Sequence, residues 1–110
     1  MTTVLADSRT RLPDSSLARL VADKAPELRR IVQEHGGGNL RLFGSVATGK
    51  VHPGSDIDLL FTIEKPMGFM TIAAMQNAMI DLLGVPVDLV ADTCLSRFIR
   101  DRVLDEAVPL

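Results

Sequence analysis

The chain has 110 residues, enough for one domain and too few for two of ordinary size. Hydrophobic residues make up 46 %, which excludes a disordered chain, and the net charge of −2 gives no overall field that would draw duplex nucleic acid. The one cysteine, Cys94, excludes an internal disulfide framework and a cysteine zinc site and suits a reducing cytoplasm.

Residues 1–13 are polar and aperiodic and read as a flexible N-terminal tail, without the apolar segment of a signal peptide. No apolar run reaches the length of a membrane span, so no membrane association is expected. One folded domain is therefore expected over 14–110. Its helix signals begin at Asp14-Ser15-Ser16, which are good N-cap residues, and Leu17, Leu20 and Val21 follow at helical spacing. Pro26 interrupts the pattern, so two helices are predicted, roughly 15–24 and 26–35, the second carrying Leu28, Ile31 and Val32 and ending with His35 at Gly36-Gly37-Gly38. Asn39 to Phe43 predicts a short strand, Gly44-Ser45 a turn, and 45–50 a single helical turn. Lys50 to Ser55 is a loop punctuated by Pro53 and Gly54. Ile57 to Ile63, rich in β-formers, predicts the strongest strand. Ile72, Met75, Met79, Leu82 and Leu83 predict a helix stopped by Gly84. Pro86 to Ala91 predicts a third strand. Thr93 is placed to cap a last helix with Leu95, Phe98, Ile99 and Val103 on one face. The order α-α-β-β-α-β-α makes the fold class α/β.

Three acids lie in apolar surroundings. Asp56 and Asp58 flank Ile57 at the start of the strongest strand, and strand geometry sends both to the same face while Ile57, Leu59 and Phe61 point away. Asp88 lies inside Val87-Asp88-Leu89-Val90, a run that reads as a buried strand. Carboxylates so placed repel one another, and neither acidic strand carries a Lys or Arg to pair with them. A divalent cation meets that need, and a donor set made only of oxygens favours Mg²⁺ or Mn²⁺ over zinc. Gly44-Ser45 follows a strand and opens a turn of small residues, where backbone N–H groups and the Ser45 hydroxyl can seat a phosphate. A phosphate seat followed by a carboxylate pair is the equipment of phosphoryl or nucleotidyl transfer.

Each part also has a plain structural reading. Gly44-Ser45 is ordinary turn composition, the Asp56/Asp58 pair could be solvated at a loop–strand junction, and Asp88 could be a charge that protects a sheet edge. His52, Lys50 and the arginines Arg97, Arg100 and Arg102 read as solvated side chains. Lys50 is the one with a place near a triphosphate. The Met75 to Met79 stripe reads as core or as partner surface.

Taken together, Gly44-Ser45, ten intervening residues and Asp56-Ile57-Asp58 match the pattern GS-x10-D-x-D. The string LFGSVATGKVHPGSDIDLLF, followed by PVDLV around Asp88 and the ending IRDRVLDEAVPL, resembles the minimal nucleotidyltransferase (MNT) branch of the DNA polymerase β-like nucleotidyltransferase superfamily. The resemblance runs over about residues 15–110. It implies a small mixed β-sheet backed by helices, two Mg²⁺ ions held by Asp56, Asp58 and Asp88, and ATP held by its β/γ-phosphates at Gly44 and Ser45. Asp88 would also help activate the attacking hydroxyl. It further implies a HEPN-domain toxin as partner, in a hetero-oligomer, with AMP transferred to a tyrosine of that toxin and the chain acting as antitoxin. Two alternatives stay open: a subunit that masks a HEPN partner without chemistry, and a nucleotidyltransferase for a small-molecule acceptor such as an aminoglycoside. Many relatives carry a basic residue, in G-S-x-A-R-G, where this chain has Thr48.

Overall fold

The computed structural model describes residues 16–50 and 56–110. The expected tail at 1–13, the cap residues Asp14 and Ser15, and residues 51–55 of the loop with His52 lie outside them. Helix α1 (Ser16–Glu34) is one continuous helix with Pro26 inside it, not the two helices predicted from that proline. The cause is the apolar stripe. Ala18, Val21, Ala25, Leu28 and Val32 form one buried line that passes Pro26 without a break, while Pro26 itself is exposed. An interior proline costs about 3 kcal/mol, and burial of an aliphatic side chain returns about 1.5–3 kcal/mol each for Val21, Leu28 and Val32. Burial wins, and the two halves stay in line. His35 Nδ1 donates to the Ile31 carbonyl (2.6 Å) at the helix end, and Gly36 turns the chain at φ +99°.

Strand β1 (Gly37–Phe43) begins two residues before the predicted Asn39. Gly37 and Gly38 do not merely stop a helix; they pair with Ile63 and Thr62 as the first rungs of the sheet. A Cβ on Gly37 would press on the Phe61 and Val32 side chains, so only glycine lets the strand lie this close to the core. The register shifts between Gly38 and Arg41, where Asn39 adopts φ +52°, a region asparagine tolerates better than most residues.

A single helical turn, α2 (Gly44–Thr48), follows, as the sequence predicts. Strand β2 (Ile57–Ile63) is the predicted one. Helix α3 (Phe69–Leu83) buries Met75, Met79 and Leu83, and Gly84 ends it at φ +72° with its N–H bonded to the Ile80 carbonyl. The methionine stripe is thus core. The large apolar side chains exposed on this helix are instead Phe69 and Met70, at its start. Strand β3 (Val87–Ala91) runs into a short turn, Asp92–Cys94.

Helix α4 (Arg97–Glu106) departs from prediction at both its cap and its face. Thr93 lies within the preceding turn, Leu95 is extended, and the cap is Ser96, whose hydroxyl accepts from the Phe98 N–H at 3.1 Å. No α4 residue is fully buried, and Phe98 is 92 % exposed, so the expected apolar face is covered only in part, at Leu95 and Val103. A two-residue strand, β4 (Val108–Pro109), was not predicted; it pairs with Leu42 and Arg41. Two residues, one of them a proline without a donor, carry no strand signal in sequence.

The four strands found among the described residues form a mixed sheet in the order β3-β2-β1-β4. β1 is antiparallel to β2 and β4, and β2 is parallel to β3 through the α3 crossover. Leu42, Leu59 and Leu89 lie side by side across β1, β2 and β3 and face the core shared with α1 and α3. The opposite face carries the polar features described next. No helix among the described residues is long and apolar enough to cross a membrane.

Candidate active site

Strand alternation and register build this site. The pairs that flank Asp58, Ile57↔Val87 and Leu59↔Leu89, are buried in the core. The residue between them on each strand must therefore point to the other face. Those residues are Asp58 and Asp88, and they are direct partners in the parallel ladder, about 5 Å apart at the backbone as neighbouring strands are. On the other side of β2, Asp58 is the direct partner of Phe43, so Phe43, Asp58 and Asp88 form a row across three strands. Asp56 stands at the entry to β2, where the Ile57 N–H donates to the Pro86 carbonyl (3.1 Å) and ties the start of β2 to the approach of β3.

Asp88 was expected in a buried strand. Its neighbours Val87 and Leu89 are buried, but Asp88 itself is exposed because β3 is the edge of the sheet. Asp56 is also exposed, and Asp58 is half-buried. Burial, then the charge of Asp88, then that of Asp56, push the Asp58 carboxyl up from 3.8 to about 6. No Lys or Arg among the described residues forms an ion pair with any of the three; the ion pairs there are Lys24–Glu27, Arg41–Asp92 and Arg102–Glu106. Nor do any three His, Cys, Asp or Glu side chains among them stand in a ready-made metal cage. Carboxylate oxygens of which one is half-buried, with no cationic side chain paired to them, suit a hard divalent cation better than a soft one.

Gly44 adjoins this cluster. Its φ is +77°, and a Cβ there would collide with the Asp58 carboxylate. Ser45 follows, half-buried, and no hydrogen bond of its hydroxyl is found among the described residues, which leaves it able to bond a ligand. The Ser45 carbonyl accepts from the backbone N–H groups of Gly49 and, at 2.9 Å, Lys50, which brings exposed Lys50 back beside Ser45. The Thr48 hydroxyl is turned inward, onto the carbonyls of Gly44 (3.2 Å) and Ser45 (3.4 Å). The fold thus gathers Gly44, Ser45, Asp56, Asp58 and Asp88 at one end of the sheet.

One buried polar group on the same face has no forerunner in the sequence reading. Arg41, 9 % exposed, donates through Nε to the Asn39 carbonyl (2.9 Å) and through Nη2 to Thr62 Oγ1 (3.1 Å) and Asp92 Oδ2 (3.2 Å). Thr62 Oγ1 donates in turn to Asp92 Oδ2 (2.7 Å). The signal was an arginine between Leu40 and Leu42 in an apolar strand, a placement that requires a buried partner.

Residues 25–109 match the family model described as "Nucleotidyltransferase domain". A protein of Methanocaldococcus jannaschii named "Putative protein adenylyltransferase" is 28 % identical over 78 residues, which cover 71 % of this chain and 84 % of the relative. The solved structure of a "putative minimal nucleotidyltransferase" superposes with a TM-score of 0.76 at 36 % identity, covering 88 % of this chain and 98 % of that one. The fold also matches, with a TM-score of 0.61 at 18 % identity and covering 83 % of this chain and 69 % of the other, a complex of tri-AMPylated Shewanella oneidensis HEPN toxin with MNT antitoxin.

Proposed function

The chain belongs to the nucleotidyltransferase domain family, among its minimal members, and from that premise we propose that it is an antitoxin that transfers AMP from ATP to a tyrosine of a HEPN-domain toxin, in a hetero-oligomer. The observation that carries this reading is the register that sets Asp58 against Asp88 with Gly44 packed on the Asp58 carboxylate. Asp56, Asp58 and Asp88 would hold Mg²⁺, two ions in all, and the bound cations would supply neutralisation of carboxylate and phosphate charge. Gly44 and Ser45 would bind the β/γ-phosphates, with Lys50 adding positive charge beside them. Asp88, exposed on the edge strand, would orient the acceptor hydroxyl and take its proton. The phenolic oxygen bonds to the α-phosphorus, the bond from that phosphorus to the β-phosphate oxygen breaks, and pyrophosphate leaves with the electron pair. These 110 residues contain no tyrosine, so on this reading the acceptor phenol lies outside them. The names of the Methanocaldococcus relative and the Shewanella complex support a protein acceptor and a HEPN partner.

The test is intact-mass measurement of both proteins after incubation with ATP and Mg²⁺. The reading requires one or more AMP units added to the partner and none with Asp58→Ala. The exposed Phe69, Met70 and Phe98 side chains favour a second reading, in which the chain silences its partner by covering it. Silencing that survives Asp56→Ala with Asp58→Ala, without any gain of mass, would establish that reading instead.

A further inference from the structure

Asp88 sits on an edge strand only five residues long, with a neighbour on one side. Strand β2 holds it there by the ladder, but no strand among the described residues meets the outward-facing backbone groups of β3. One of them meets a side chain. The Leu89 N–H, which belongs to the peptide unit joining Asp88 to Leu89, donates to Gln76 Oε1 of α3 at 2.9 Å. Gln76 is half-buried beside Met75, which is wholly buried and anchors that turn of α3 to the core. The orientation of the 88–89 peptide plane is therefore fixed from both sides, by β2 and by α3. That plane sets the backbone from which the Asp88 side chain leaves, on the face of the sheet it shares with Asp58.

We infer that Gln76 is a positioning residue for the third carboxylate, holding Asp88 at the edge of the sheet in the orientation the Asp58/Asp88 pair needs. The inference rests on the proposed reading of Asp88 as a metal ligand. Gln76 touches neither metal nor substrate; it acts through one peptide unit, much as outer groups orient the ligands of other metal sites. An isosteric loss of the acceptor leaves the core contacts of α3 intact and frees the edge.

Three proteins test this: wild type, Gln76→Leu, which keeps the volume and removes the acceptor, and Gln76→Glu, which keeps an acceptor oxygen. Amide hydrogen exchange at Leu89 is read in the metal-free proteins, and Mn²⁺ affinity is read by titration in the presence of a non-hydrolysable ATP analogue. Gln76→Leu is expected to speed Leu89 exchange, leave exchange of the core amides of Leu59 and Phe61 unchanged, and weaken Mn²⁺ binding about tenfold. Gln76→Glu is expected to restore slow exchange and most of the affinity. If wild type binds Mn²⁺ and Gln76→Leu binds it equally well, or if Gln76→Leu speeds exchange throughout the chain, the positioning role is overturned and the reading of the carboxylates stands. If wild type binds no Mn²⁺, the reading of the carboxylates falls and takes this inference with it.

Discussion

At Gly44 two restraints act on one atom: a side chain there would need φ +77° and would run into the Asp58 carboxylate. Gly44→Ala is expected to cost about 2 kcal/mol of stability from the strained backbone and to abolish nucleotidyl transfer, read by denaturant unfolding and by product mass. Asp58 predicts a pH effect whose sign is fixed. Its folded value, about 6, lies above the ordinary 3.8, so the folded chain holds the proton more tightly than the unfolded one. Ionised Asp58 therefore opposes folding fully above about pH 6, and that opposition fades as pH falls toward 3.8. In metal-free protein, Asp58→Asn is expected to raise the unfolding midpoint near neutral pH, with the gain shrinking as the solution is acidified through this window. A midpoint unchanged at neutral pH would show that Asp58 carries no such penalty. The sequence singled out Asp56, Asp58, Asp88, Gly44 and Ser45 by the GS-x10-D-x-D spacing and by acids set among apolar strand residues, and the fold brings these residues to one end of the sheet; the exposure of Asp88 was not legible, because only the strand order makes β3 an edge. Arg41 and Gln76 were not, because their partners, Asp92 and the Leu89 N–H, are distant in the chain and only the sheet brings them together.

Helix α1 carries Pro26 against local preference, held straight by its buried stripe. Pro26→Ala is expected to stabilise the protein by about 1–2 kcal/mol, somewhat less than the full interior cost of proline because the unfolded chain also gains freedom; thermal or denaturant unfolding measures it. Arg41 joins β1, β2 and the turn after β3 through its bonds to Asn39, Thr62 and Asp92. Removing it leaves partly buried Asp92 without its cation and with Thr62 Oγ1 as its remaining donor among the described residues, and Arg41→Ala is expected to cost about 3 kcal/mol, visible as a lower denaturation midpoint. The strands β2 and β3 and the stop of α3 at Gly84 could be read from sequence because each depends on a local pattern. The unbroken α1, the early start of β1 and the pairing of β4 could not. Each is decided by what the segment packs against, so Pro26, Gly37 and Pro109 signal breaks that the tertiary structure overrides.

Across the whole molecule, the carboxylates and the Gly44-Ser45 turn lie at one end of the sheet, while the core that fixes their spacing lies beneath it on the α1/α3 face. A ligand bound at that end stabilises the fold as a unit. ATP with Mg²⁺ at a hundred times its dissociation constant is expected to add about 2.7 kcal/mol, a rise of roughly 10–20 °C in melting temperature for a domain of this size. Asp58→Ala should show no such rise in a thermal melt. The mixed sheet itself was not legible from periodicity, which gives strands but not their neighbours; the family resemblance supplied it. The pairing of β2 with β3 also has a bearing on biosynthesis. The two strands are joined by the whole of α3, so Asp58 emerges from the ribosome well before Asp88, and at about 5–20 residues per second the lag is a few seconds. Until β3 docks, the growing chain has the β1/β2 pair and only part of the candidate site. On the proposed reading, a partner protein made alongside it would meet a molecule not yet able to modify it, and modification would begin only after translation has passed β3.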